Sequence, residues 1–186
     1  MDRRTMLGAM LAAPLACRPG VAPAQPFVEL DTPYVTTPQN VVDAMLELAG
    51  VGPSDRLIDL GSGDGRIVVT AARRWGTPGV GYDIDPRLVA LARDNARKAG
   101  VERLARFDVE DVFVADLSSA SVITLYLLPD VNLKLRPRLR ALRPGTRIVS
   151  HDWDMGDWTP QRTIEVDAPD KTVGLRKASR LFLWTV

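Results

Sequence analysis

Leu57-Ile58-Asp59-Leu60-Gly61-Ser62-Gly63-Asp64-Gly65-Arg66 is the stretch on which the fold turns. A short apolar run carries an acid, three alternating glycines follow, and residues 66–75 then take up helical spacing before Gly76. The order is that of a strand, a ligand-binding turn and a helix. Glycines permit positive backbone dihedrals and remove the Cβ atoms that would hold a ligand away from the main chain. Amides opening the next helix can then meet a carboxylate. The spacing G-x-G-x-G differs from the G-x-G-x-x-G of dinucleotide-binding turns. Asp59 would oppose a pyrophosphate but receive an ammonium, as charge complementarity requires.

Two further acids extend the argument to the ends of neighbouring strands. Asp83 closes the apolar run 79–82, 18 residues past Gly65, where a carboxylate can accept both hydroxyls of a ribose. Asp111 ends the run 106–111, which places an acceptor and the N–H of Val112 beside an adenine edge. Asp83 or Asp111 alone has another reading, as a side chain that caps a turn. Three acids at successive strand ends, with Ser62 and Asp64 in the turn, instead suit the amino acid, sugar and base of an adenosyl cofactor. An NAD-binding module is the structural competitor, and the glycine spacing and Asp59 count against it.

Composition limits what else the chain can be. Its 186 residues suit one domain with a substantial core. With 24 basic and 23 acidic side chains there is no overall field to attract nucleic acid or an anionic membrane. One Cys and one His exclude a disulfide framework, a zinc cluster and a triad that needs further copies. Chemistry must rest on carboxylates, hydroxyls, aromatics or a cofactor.

Residues 1–24 read as an export-type signal or membrane tether and 25–186 as a single domain. Arg3-Arg4 precede an uncharged run over 6–16, too short to span a bilayer, and Ala22-Pro23-Ala24 supplies a small-x-small cleavage site. The arginine pair resembles a twin-arginine signal, whose machinery carries folded cargo. The expected location is periplasmic or membrane-tethered, with a cytoplasmic protein bearing an ordinary N-terminal helix as the alternative. Cleavage after Ala24 would remove Cys17 and leave 21 basic and 22 acidic groups.

Beyond Gln25, short apolar runs alternate with helical periods, the order of a doubly wound sheet. Thr37-Pro38 reads as an N-cap followed by proline, with Val41, Met45, Leu48 and Ala49 on the inner face. Strands are expected over 56–60, 79–83, 106–111, 121–127 and 146–150. Helices are expected over 66–75, after Asp85-Pro86 with Leu88, Leu91, Ala92 and Ala99 inward, and over 130–142 with a kink at Pro137. The third crossover is too short for a long helix. Segments 163–166 and 181–186 suit an antiparallel hairpin, because direct pairing requires no crossover helix. The fold class is α/β, a Rossmann-like seven-stranded sheet, mostly parallel with a C-terminal antiparallel hairpin.

With these residues in view, the chain resembles class I S-adenosylmethionine-dependent methyltransferases. More narrowly, Tyr34-Val35-Thr36-Thr37-Pro38, the glycine block through Arg66, Gly81-Tyr82-Asp83-Ile84-Asp85-Pro86, Thr124-Leu125-Tyr126-Leu127-Leu128-Pro129 and Pro144-Gly145-Thr146-Arg147-Ile148-Val149-Ser150-His151 resemble a family of small methyltransferases. That family includes mitochondrial lysine methyltransferases acting on the ATP synthase c ring protein and the adenine nucleotide carrier. The resemblance implies S-adenosyl-L-methionine as cofactor and a protein substrate, with membrane-associated proteins among the candidates. This chain departs from the mitochondrial members in its export-like leader and in having no evident transmembrane helix.

An activated methyl group asks chiefly for alignment with its acceptor. A lysine acceptor must first lose a proton held at about 10.4, and apolar and aromatic walls lower that value. Tyr126 is the first candidate to line the acceptor channel, its other reading being a core aromatic. Tyr34 and Thr37 are placed over the cofactor. Asp152, in His151-Asp152-Trp153-Asp154-Met155-Gly156-Asp157-Trp158, is a candidate acid or base. That loop also reads as an acidic surface loop anchored by two tryptophans, or, through Asp152, Asp154 and Asp157, as a magnesium site for catechol-type transfer. Lys134, Arg136, Arg138, Arg140 and Arg143 make one helix basic, either as a solvated face or as a dock for nucleic acid or anionic lipid. The turn Leu125-Tyr126-Leu127-Leu128-Pro129 lacks the Asn/Asp-Pro-Pro-aromatic signature of nucleobase amino-methylation. The reading is therefore a monomeric protein lysine N-methyltransferase with no metal and no nucleic-acid partner. A small-molecule methyltransferase and a noncatalytic cofactor-binding module are the alternatives.

Overall fold

The computed structural model describes residues 34–174 and 177–186. The expected leader and its cleavage site lie outside them. The described chain runs α1 (Gln39–Leu48), β1 (Leu57–Leu60), α2 (Arg66–Trp75), β2 (Gly79–Asp83), α3 (Pro86–Lys98), β3 (Ala105–Val109), β4 (Val122–Leu125), α4 (Pro129–Arg140), β5 (Arg147–His151), β6 (Arg162–Asp167) and β7 (Ala178–Thr185). The strands form one sheet in the order β3-β2-β1-β4-β5-β7-β6. β1 to β5 are parallel, while β7 inserts antiparallel between β5 and β6. The fold-class expectation stands, with one detail added: the C-terminal pair is not simply appended, since its second strand is the inner one.

Every residue of β1 and β4 is buried, as a sheet covered on both faces demands. Period-two alternation then divides the core. Leu57 and Val122 pack with α1, α2 and α3 on one face, whereas Ile58, Leu60, Ile123 and Leu125 pack with Leu135 and Leu139 of α4 on the other. On the first face the apolar rows stop at Asp59 and Thr124, which are paired in register. The core ends there and a cavity begins.

Three local expectations are corrected. Thr37 does not cap α1; the helix starts at Gln39, Val41 and Val42 donate to the Pro38 carbonyl, and the Thr37 hydroxyl lies 3.3 Å from His151 Nδ1. A buried imidazole nitrogen needs a partner more than an exposed helix start does. In α3 the inward stripe is Val89, Ala92 and Ala96; Leu91 is exposed and Ala99 is only half-buried. Small residues let the helix approach β2 and β3, and the register shifts by one position. β3 stops at Val109, so Asp111 falls beyond the strand and accepts from the Phe113 N–H at 2.8 Å, closing a turn. The connection from β3 to β4, too short for a long helix, contains none, and α4 runs on through Pro137.

Candidate active site

The carboxyl edge of β1, β2 and β4 opens on a cavity of about 250 Å³. Tyr34, Thr37, Asp59, Gly61, Ser62, Gly63, Asp64, Asp83, Asp111, Val112 and Tyr126 all line it. Asp152 does not line it, and reaches it only through Tyr126. The parallel register makes this convergence possible, since Asp59 sits beside Gly81 on one side and Thr124 on the other. Gly81 has no room for a side chain, because a Cβ there would fall 2.5 Å from Ser62 Cβ.

Asp83 points into the glycine turn. Its Oδ2 accepts from the Gly63 N–H at 2.8 Å and its Oδ1 from the Asp85 N–H at 3.0 Å. Each oxygen retains a further lone pair. Asp59 is 2 % exposed and accepts from the Thr124 hydroxyl at 2.7 Å. Burial pushes its carboxyl up to about 7, against the lowering effect of that hydrogen bond. Ser62 Oγ is buried with no hydrogen-bond partner among the described residues.

The glycines do more than admit a ligand. A Cβ on Gly63 would fall 2.6 Å from the Tyr34 ring, one on Gly61 2.6 Å from Leu127, and one on Gly65 2.5 Å from Phe107. Tyr34 lies over the turn as a half-exposed cover. Asp64 is engaged sideways by the Arg66 guanidinium, whose second arm donates to the Thr37 carbonyl at 2.7 Å. Arg66 thereby fastens the segment before α1 to the start of α2, a role its position in the motif does not advertise.

At the other end of the cavity stands Tyr126, just past β4. Its ring stacks on His151 with centroids 3.8 Å apart and planes inclined by 28°. His151 is fully buried, with Nε2 2.7 Å from the Ser179 hydroxyl. Burial is the main reason that its imidazole titrates near about 4, so the ring is neutral in ordinary buffers. The Tyr126 hydroxyl donates to Asp152 Oδ2 at 3.4 Å, and burial with the facing carboxylate pushes the phenol up to about 12. Asp152 is the one non-glycine residue with positive φ among the described residues, at 63°. Aspartate tolerates that region better than most, and Asp152 is held in it by exchange with Arg180, donating N–H to O at 2.7 Å and accepting N–H at Oδ1 at 3.1 Å.

The remaining loop acids go elsewhere. Asp157 pairs with Arg136, Asp154 accepts from the Gly156 N–H, and Asp152 pairs with Lys171. No group of three metal-binding side chains converges among the described residues. Trp158 anchors the loop against Trp184, with ring centroids 5.8 Å apart, while Trp153 is exposed rather than a second anchor. The cations of α4 are largely engaged in structure. Arg138 donates to the carbonyls of Val112, Phe113 and Ala115, and Arg140 lies over Trp158. Thr124, Ser179, Lys171 and Arg66 were given no role from sequence, and only Thr124 and Arg66, each at the end of a quoted motif stretch, carried a signal there.

A seven-stranded sheet in this order, with three acids and an unpartnered buried hydroxyl around a glycine turn, defines a methyltransferase that takes a nucleoside-linked amino acid as methyl donor. The donor set fits S-adenosyl-L-methionine. The model of the ANTKMT methyltransferase domain matches residues 59–162, more than half of the chain, and the protein belongs to that methyltransferase family. A protein-lysine N-methyltransferase of Saccharolobus islandicus is 42 % identical over 137 residues, covering 73 % of this chain and 85 % of that protein. The adenine nucleotide translocase lysine N-methyltransferase of Mus musculus is 34 % identical over 138 residues, covering 74 % of this chain but only 60 % of the mouse protein. Among solved structures, an RNA methyltransferase from Salinibacter ruber in complex with S-adenosyl-L-homocysteine is 54 % identical, with a TM-score of 0.75, covering 82 % of this chain and 94 % of that one.

Proposed function

We propose that the enzyme methylates the Nζ of lysine in a protein substrate. In this reading Asp59 receives the ammonium of the methionyl moiety, Asp83 the ribose hydroxyls, and Asp111 with the Val112 N–H the adenine, while Ser62 supplies a spare hydroxyl. Tyr34 and Thr37 cover the ligand. When bound, the cofactor supplies a methyl group that leaves the sulfonium sulfur as its new bond to nitrogen forms. The protein's part is to admit an unprotonated amine and align it. The observation that carries the proposal is the Tyr126 wall, an aromatic face stacked on neutral His151 with a carboxylate at its hydroxyl. Such a wall guides a long aliphatic amine by its methylenes and offers its nitrogen one acceptor. The names of the relatives at 42 % and 34 % identity support the same substrate class.

An RNA acceptor is the second reading, favoured by the name of the 54 % identical structure. The engagement of Arg136, Arg138 and, just past the helix, Arg143 with carbonyls and Asp157 leaves α4 and the turn after it a weaker phosphate-binding face than their composition suggests. Incubating the protein with labelled cofactor, cell-envelope protein and total RNA decides between them. Label recovered in methylated lysine after acid hydrolysis is expected; label confined to RNA or to small molecules overturns the proposal. We further propose that residues 1–24 direct the enzyme to the cell envelope. Fractionation with N-terminal sequencing tests this, and a cytoplasmic chain starting at Met1 overturns it.

A further inference from the structure

Lys171 lies in the connection between β6 and β7, yet its side chain is only 9 % exposed. Its Nζ sits 2.6 Å from Asp152 Oδ2 and donates to the Ala178 carbonyl at 2.8 Å. The oxygen that takes this ammonium is the one that accepts from the Tyr126 hydroxyl. A lysine side chain has several carbons with which to reach water, and withdrawing its charge is costly unless it is paired. Here the chain is bent inward instead. The Lys171 carbonyl is itself held by Lys177 Nζ at 2.7 Å, and its N–H donates to the Ala168 carbonyl. The surroundings of Asp152 show what that ammonium does. His151 is neutral, the Tyr126 phenol keeps its proton, and Arg180 meets Asp152 through its backbone while its side chain is exposed. Lys177 contacts the Lys171 main chain. Lys171 is therefore the cation in contact with this carboxylate among the described residues.

We propose that Lys171 is a charge-balancing positioning residue, neutralising Asp152 while leaving its hydrogen bond to Tyr126 intact, so that an amine entering beside Tyr126 meets an oriented oxygen rather than a bare anion. The inference rests on the lysine-acceptor reading. An amine attacks only without its extra proton, and an uncompensated carboxylate within about 4–6 Å favours the protonated form by roughly 1–3 pK units. Asp152 does not line the cavity, but its Oδ2 lies 3.4 Å from the hydroxyl of Tyr126, which does, so an amine beside Tyr126 feels that charge across the phenol. Pairing it internally removes the trap without removing the acceptor.

The test compares lysine labelling against pH, with the solubilised envelope-protein fraction as acceptor, for wild type, Lys171→Met, Lys171→Arg and the double variant Lys171→Met with Asp152→Asn. Lys171→Met is expected to move the acid limb of the rate profile upward by about one pH unit, a loss of about tenfold on that limb that recovers in alkali. Lys171→Arg and the double variant should restore the wild-type limb. An equal loss at every pH, or an unmoved limb, overturns the inference, because a purely structural lysine would give one or the other. If Lys171→Met no longer binds S-adenosyl-L-homocysteine by calorimetry, Asp152→Asn alone answers the question: its uncompensated Lys171 should move the limb downward, and a limb that stays put refutes the role. Failure of the wild-type enzyme to label lysine at all would overturn the acceptor reading itself, before any variant is compared.

Discussion

Replacing Gly65 by alanine would place a methyl group 2.5 Å from Phe107 Cζ, 2.7 Å from Cε1 and 2.8 Å from Ala92 Cβ. Phe107 and Ala92 are buried, so neither can swing away. Gly65 also has φ of 78°, where an L side chain costs about 1–2 kcal/mol. Overpacking of a filled core adds roughly 1–3 kcal/mol. The expected loss is therefore roughly 2–5 kcal/mol, or about 5–15 °C in Tm for a domain of this size. Gly76 provides the control. Its φ is 67°, yet nothing lies within 4 Å of where an alanine methyl would sit, so Gly76→Ala should show the backbone cost alone. Urea unfolding of both variants isolates the packing contribution as their difference. Shortening the obstacle with Phe107→Leu should then recover part of the Gly65→Ala loss but none of the Gly76→Ala loss. Equal destabilisation by the two alanines, within about 0.5 kcal/mol, would refute the claim that the third glycine is required by the core beneath the turn.

Three further outcomes follow from the site. Asp83→Asn should weaken S-adenosyl-L-homocysteine binding by roughly 10–100-fold in calorimetry, since charge-assisted bonds are worth about 1.5–3 kcal/mol; affinity within about threefold of wild type would remove Asp83 from the ribose site. Asp59 titrates near about 7 when free, and an arriving ammonium favours its ionised form. Binding should thus release a proton below that pH, with affinity rising by up to about tenfold per unit toward 7. Calorimetry in two buffers of different ionisation enthalpy reads that proton, and Asp59→Asn should abolish it. His151 titrates near about 4 in the fold against about 6.5 unfolded, so the unfolded chain binds the extra proton between those values. Its contribution is complete above about 6.5 and is lost as pH falls toward 4. Urea unfolding should show wild type losing about 2 kcal/mol more than His151→Gln between pH 7 and pH 5. An identical loss in both proteins would mean that the imidazole is not buried in neutral form.

The frame is legible in the sequence because its signals are local. The 57–66 block carries its strand, turn and helix in ten consecutive residues, and Asp59 and Asp83 are placed by the ends of their own strands. Alternating short strands and helices then leave few ways to cover both faces of a sheet. Where a register depends on a neighbour, the local pattern misleads: Leu91 is exposed because α3 turns smaller residues to the sheet, and Asp111 lies past the end of β3. At the far end of the cavity the sequence named Tyr126 and Asp152, but not the contacts that hold them. Thr37 and His151 meet across 114 positions, and Asp152 meets Arg180 across 28. Lys171, in a connection with no motif of its own, reaches Asp152 only because β7 inserts between β5 and β6 and draws that connection back over the carboxyl edge. A cofactor turn is written in consecutive residues because its backbone makes the site; the wall around Tyr126 is assembled from side chains that only chain closure brings within a few ångströms.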